Sequence, residues 1–149
     1  PMFTHASWSD FRIIRAQLTG ASLDDPTTTT KGRTIPYAVF ATPELARIGL
    51  SEGEAREAGL DVRIAKVPTA AIPRAKTMRY AGEGFWKAVV DANTHQILGA
   101  TLIGPNVSEV ITAAHVAMAG GLTYEQLRFL PIAHPTMGEG LQVLFDSLG

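Results

Sequence analysis

The chain of 149 residues contains no cysteine. That excludes disulfide staples, thiolate metal sites and a redox thiol of its own. No apolar run approaches the roughly 20 residues that a membrane span needs. The opening "PMFTHASWSD" has neither a basic head nor an apolar stretch, so no secretion signal is expected there. Acids and bases nearly balance, 14 against 13, and they are intermingled. A patch for nucleic acid or an anionic membrane is therefore not expected. Glycine-rich phosphate cradles are missing in both the G-x-G-x-x-G and G-x-x-x-x-G-K forms, so the chain has no dinucleotide-binding half of its own. Nor is there a G-x-S-x-G elbow for a nucleophilic serine. The four histidines share no H-x-x-x-H or H-x-H spacing, and no metal site is expected.

What is present reads as a globular protein, with a hydrophobic share of 46%. "SWSDFRIIRAQLTG" predicts a short helix: Ser7 and Asp10 fit a capping box, and Phe11, Ile14 and Leu18 recur at helical spacing. Residues 21–34, with four threonines in a row, read as a linker, and a compact domain should begin at Ile35. "IPYAVFAT" predicts a strand, with Pro36 at its start or on a sheet edge. Ser51 and Glu54 open a helix that Gly59 closes, and "DVRIAKVPT" suits a half-buried strand.

"GFWKAVVDANTHQILGATLIG" is the strongest signal, two apolar runs around a polar turn, and predicts an antiparallel hairpin. Three helices should follow. The first starts at Asn106 and Glu109, the second at Thr123 and Gln126, and the last covers residues 137–148. Hairpin pairing dominates this order, which favours an α+β fold with an antiparallel sheet.

The tail carries "IAHPTMGEG", and two readings of it stand side by side. In one, Thr136 and Glu139 are a capping box, and His134 and Pro135 are the turn that feeds the helix. In the other, the Glu139 carboxylate pairs with the His134 imidazole, fixing its tautomer as a general acid-base needs. A cis His134–Pro135 bond would aim the ring away from the helix axis. Glu139 cannot serve cap and imidazole equally. His115 lies beside Ile111 on its helix and reads as a partly buried, satisfied histidine.

"FATPELARIGLSEGEAREAG", "IPRAKTMRYAGEGFWKAVVD", "TLIGPNVSEVI" and "AHPTMGEGL" together resemble the C-terminal dimerisation domain of the pyridine nucleotide-disulfide oxidoreductases. That family includes glutathione reductase, dihydrolipoamide dehydrogenase and mercuric reductase. The likeness covers about 35–149. It rests on ordered motifs: T-P-E-x-A at 42–46, G-F-x-K at 84–87, I-L-G-A at 97–100 and H-P-T-x-x-E at 134–139.

"FTHASWSDFRII" is similar to the end of the family's FAD domain, which implies that 1–20 is a remnant of that domain and 21–34 a hinge. Phe3, Thr4 and His5 would then lie on the flavin side. The resemblance implies a cytoplasmic parent enzyme using FAD and NAD(P), with neither bound by this chain alone. It further implies a homodimer in which His134 is the acid-base of thiol–disulfide exchange on the partner subunit, oriented by Glu139. The dimer interface should be apolar and drawn from the last two helices and the hairpin sheet. Ile132 stands where many members carry a second histidine, and Gly138 where a serine is common. Two other readings compete: a stand-alone dimerisation or binding module without redox chemistry, and a small acid-base enzyme using both residues within one subunit.

Overall fold

The computed structural model describes residues 1–149, the side chain of Pro26 excepted. They divide into two compact units, Pro1–Ile35 and Pro36–Gly149.

In the first unit, helix α1 spans Thr4–Leu18. It begins three residues before the expected capping box: Phe3 occupies the cap without a side-chain hydrogen bond, and Ser7 lies inside the helix. The expected stripe exists but is not buried in this unit, for Phe11, Ile14 and Leu18 are all exposed, as is Trp8 beside them. The segment expected as a plain linker is partly ordered. The Asp25 side chain accepts from Thr27 N and starts a 3₁₀ turn at Pro26–Thr28. Gln17 Nε2 donates to Thr28 O at 2.9 Å, and Arg33 pairs with Asp10 at 2.6 Å, so the segment folds back on α1.

The second unit is an α+β fold on a five-stranded sheet in the order β1-β2-β5-β4-β3. The strands are β1 (Tyr37–Val39), β2 (Glu44–Gly49), β3 (Val62–Pro68), β4 (Phe85–Asp91) and β5 (Ile97–Gly104). All neighbours pair antiparallel. β1 is an edge, and Pro36 precedes it where a missing donor costs no ladder bond. β4 and β5 form the expected hairpin in a register that puts Trp86 opposite Leu102 and Lys87 opposite Thr101.

Alternation does the rest. Ala46, Ile48, Ala65, Val67, Trp86, Ala88, Val90, Ala100 and Leu102 turn one way and are buried. Helices α4 (Val107–Ala119), α5 (Tyr124–Arg128) and α6 (Gly140–Asp146) contribute Val110, Ile111, Leu127, Leu141, Leu144 and Phe145 to the same core. Each such side chain contributes about 1.5–3 kcal/mol by leaving water. Helix α2 (Glu52–Glu57) is tied to the sheet by ion pairs from Glu54 to Arg47 and from Glu52 to Lys87. A short helix α3 (Pro73–Thr77) completes the list.

Two caps follow the sequence. Ser51–Glu54 and Thr123–Gln126 are full capping boxes. A third does not. Asn106 is left-handed, with φ of 58°, and makes no side-chain cap. Glu44 substitutes from across the sheet, its Oε2 accepting from Ser108 N and Ser108 Oγ at 3.2 and 2.8 Å. The last helix also starts later than expected, at Gly140 rather than Met137. The reason lies in Glu139.

Candidate acid-base site

His134 and Glu139 lie on the segment that joins α5 to α6. That segment is held at both ends. Gln142, on the first turn of α6, donates its Nε2 to Arg128 O at 3.1 Å and to Leu130 O at 2.5 Å. Arg128 reaches Asp146 Oδ1 at 2.6 Å, closing α5 against α6 a second time. Met137 anchors the middle by burying its side chain. The His134–Pro135 peptide is cis.

Within this frame the His134 Nδ1 lies 2.8 Å from Glu139 Oε2. A carboxylate only accepts, so Nδ1 carries the proton and Nε2 is the ring nitrogen left for other chemistry. The two partners differ sharply in burial: the imidazole is 68% exposed and the carboxylate side chain 8%. Glu139 Oε1 is buried without a hydrogen-bond partner among the described residues. A charge withdrawn from water is costly unless paired, and the imidazole supplies that pairing.

The competition for Glu139 is thereby resolved. Its backbone N–H donates to Thr136 Oγ1 at 3.2 Å, half of the expected capping box. The other half is absent, because the carboxylate is spent on His134 and Glu139 itself becomes the cap residue of α6. The helix therefore starts three residues late.

Phe3, Thr4 and His5 lie in the other unit, at the start of α1, where the Phe3 and His5 rings stack at 5.3 Å and 9°. His115 is half-buried on α4, as its spacing suggests. No group of three metal-ligating side chains occurs among the described residues. Sequence reasoning missed the Gln142 clasp, which spans 12 and 14 residues and leaves no local pattern. It also missed a second histidine–carboxylate pair, His95 Nδ1 to Glu125 Oε1 at 2.5 Å.

Residues 35–144 match the family model described as the dimerisation domain of pyridine nucleotide-disulphide oxidoreductases. Over 144 residues, 97% of its length, the chain is 41% identical to a probable pyridine nucleotide-disulfide oxidoreductase, RclA, of Escherichia coli. Over 114 residues, 76% of its length, it is 40% identical to dihydrolipoyl dehydrogenase of Thermus scotoductus. It spans 32% of the first relative and 24% of the second. Among solved structures, the HOCl-induced flavoprotein disulfide reductase RclA from Escherichia coli superposes with a TM-score of 0.88 at 39% identity, covering 100% of this chain and 33% of that one.

Proposed function

The chain belongs to the pyridine nucleotide-disulphide oxidoreductase family as a dimerisation domain, and on that footing we propose that it supplies His134 and Glu139 to a disulfide-reducing site on a second copy of the same polypeptide. The observation that carries this reading is the 2.8 Å pair with its carboxylate buried and its imidazole outside. Such an arrangement suits a partner that approaches from solvent. Phe129 and Leu130, just upstream of His134, are exposed apolar side chains, as a two-fold interface requires.

The chemistry asked of His134 is proton transfer at sulfur. Nε2 takes the proton of an attacking thiol, and the thiolate forms a new bond to one sulfur of the disulfide. The old S–S bond breaks, and its leaving thiolate takes the proton back from Nε2. Glu139 holds Nδ1–H throughout and stabilises the cation while Nε2 is charged. Both cysteines come from outside this chain, which has none. FAD and NAD(P) belong to the rest of the parent enzyme and supply its reducing equivalents. Residues 1–20 belong to the FAD-binding domain of that enzyme, with Phe3, Thr4 and His5 on the flavin side. The exposed stripe of α1 supports this, because it is an apolar face with nothing covering it in its own unit.

A mixed dimer tests the proposal. Full-length subunits carrying His134→Gln are combined with subunits lacking the redox cysteines. The His134→Gln homodimer should lose about 10²–10⁴ in turnover and the cysteine-free one all of it, and the mixture should regain activity through its hybrid dimers. Undiminished turnover by His134→Gln, or no recovery on mixing, overturns it. The isolated chain with FAD, NAD(P)H and a disulfide should show no turnover.

A further inference from the structure

Helix α6 opens on Gly140, and the backbone there does not call for glycine, since its φ lies outside the left-handed region. Packing does. A Cβ at position 140 would lie 2.5 Å from Trp86 Cζ3, 2.7 Å from Trp86 Cη2 and 2.7 Å from Ile72 Cδ1. Trp86 and Ile72 are both completely buried. Trp86 cannot easily retreat, for β4 holds it between Val67 of β3 and Leu102 of β5. By contrast, a Cβ at Gly138, two residues earlier, would meet nothing closer than 3.7 Å. The tight contact is specific to the residue that follows Glu139.

Glu139 cannot move independently of that contact. Its backbone is already helical, with φ of −63° and ψ of −15°, and Val143 N and Gln142 N both donate to its carbonyl. Gly140 N in turn donates to Met137 O at 3.0 Å. Whatever sets the depth of the first turn of α6 also sets the position of the Glu139 carboxylate.

We propose that Trp86 is a positioning residue for the His134–Glu139 pair: its ring against the bare Cα of Gly140 fixes how deep α6 begins, and thereby brings the carboxylate to hydrogen-bond distance from Nδ1. The catalytic meaning of this lock rests on the function proposed above, but its geometry does not. Relieving a 2.5 Å contact to ordinary van der Waals separation takes about 1 Å of movement. Added to a bond of 2.8 Å, that displacement leaves no hydrogen bond. Nothing in the sequence announces the link, because Trp86 and Gly140 meet only through the fold.

The test reads the histidine ring directly. With ¹⁵N-labelled histidine in the 149-residue chain, the ring nitrogen shifts report which tautomer the neutral imidazole of His134 adopts. In the native chain Nδ1 should carry the proton. In Gly140→Ala that tautomer should fall by about fivefold or more, and in Trp86→Leu/Gly140→Ala it should recover. Gly138→Ala should match the native chain. Retention of the native tautomer in Gly140→Ala overturns the proposal. So does a double variant that is unfolded or keeps the defect. Should Gly140→Ala fail to fold, the double variant decides alone: folded with the native tautomer supports the lock, and any other result overturns it. No substrate is present in this measurement, so its outcome is separate from whether His134 turns over a disulfide.

Discussion

Two histidines in this chain point Nδ1 at a glutamate, and they do so in different surroundings. His134 and Glu139 are 2.8 Å apart, with exposures of 68% and 8%. His95 and Glu125 are 2.5 Å apart, with exposures of 41% and 32%. In the second pair both partners are wet. His95 occupies the left-handed turn of the β4–β5 hairpin, its ring lies 5.5 Å from that of Tyr124, and its carbonyl accepts from Tyr124 N. With the Gln96–Thr123 bridge beside it, this pair is a clasp between the hairpin and α5. In the first pair, burial of the acid and exposure of the base leave a fixed tautomer with one nitrogen facing outward. Equal chemistry and unequal burial separate a pair closed on itself from one whose ring is left open to solvent.

Exchanging each carboxylate for its amide is the sharpest way to break this contrast. In a full-length enzyme, Glu139→Gln should lower disulfide turnover by up to about 10⁴-fold, because an amide no longer enforces the Nδ1–H tautomer of a reactive imidazole. Glu125→Gln should leave turnover within about twofold of native. Steady-state kinetics on the two proteins measures both. Equal losses would mean that the difference in burial carries no functional meaning.

How far this contrast was legible beforehand depends on the range of the interactions that set it. The Ser51–Glu54 and Thr123–Gln126 boxes were readable because cap and partner are three residues apart. The hairpin was readable from its two apolar runs. β2 was not, since "ELARIG" has little β-branched character and owes its strand state to β5, which pairs with all six of its residues. The start of α4 at Asn106 was readable, but not its cap, because Glu44, 64 positions away from Ser108, accepts the hydrogen bonds there. At the site, the His134–Glu139 pairing was available as one of two readings, but local spacing could not choose between them. The choice depends on burial of the carboxylate at the edge of the core, which is a property of the assembled sheet and helices. Glu125 was out of reach for the same reason, as it lies 30 positions from His95.

A smaller effect sharpens the other half of the comparison. If His95–Glu125 is a surface clasp, His95→Gln should cost less than about 1 kcal/mol of stability. Salt should erode that difference, because exposed pairs are screened within a Debye length of about 8–10 Å. Denaturant melts at low and high ionic strength give both numbers. A loss of several kcal/mol, insensitive to salt, would place His95 among the buried groups and end the distinction.

The smallest expected effect comes from a third glutamate, which shows what pairing looks like without a histidine. Glu54 accepts from the Ser51 side chain and backbone and from Arg47, and these hold its carboxyl well below the usual range, at about 2 instead of 4.5. The sign follows from linkage. A carboxyl whose folded value is depressed binds fewer protons when folded, so its contribution is complete above about 4.5 and drains away as pH falls toward 2. Because Glu54 is exposed at the helix start, the amplitude is small. Thermal melts of native and Glu54→Gln chains should therefore differ most above about pH 5 and converge as the solution is acidified. A difference that instead persisted unchanged down to pH 2 would show that the side chain acts by packing rather than by charge. That result would also count against reading the other two glutamates by the burial of their charge.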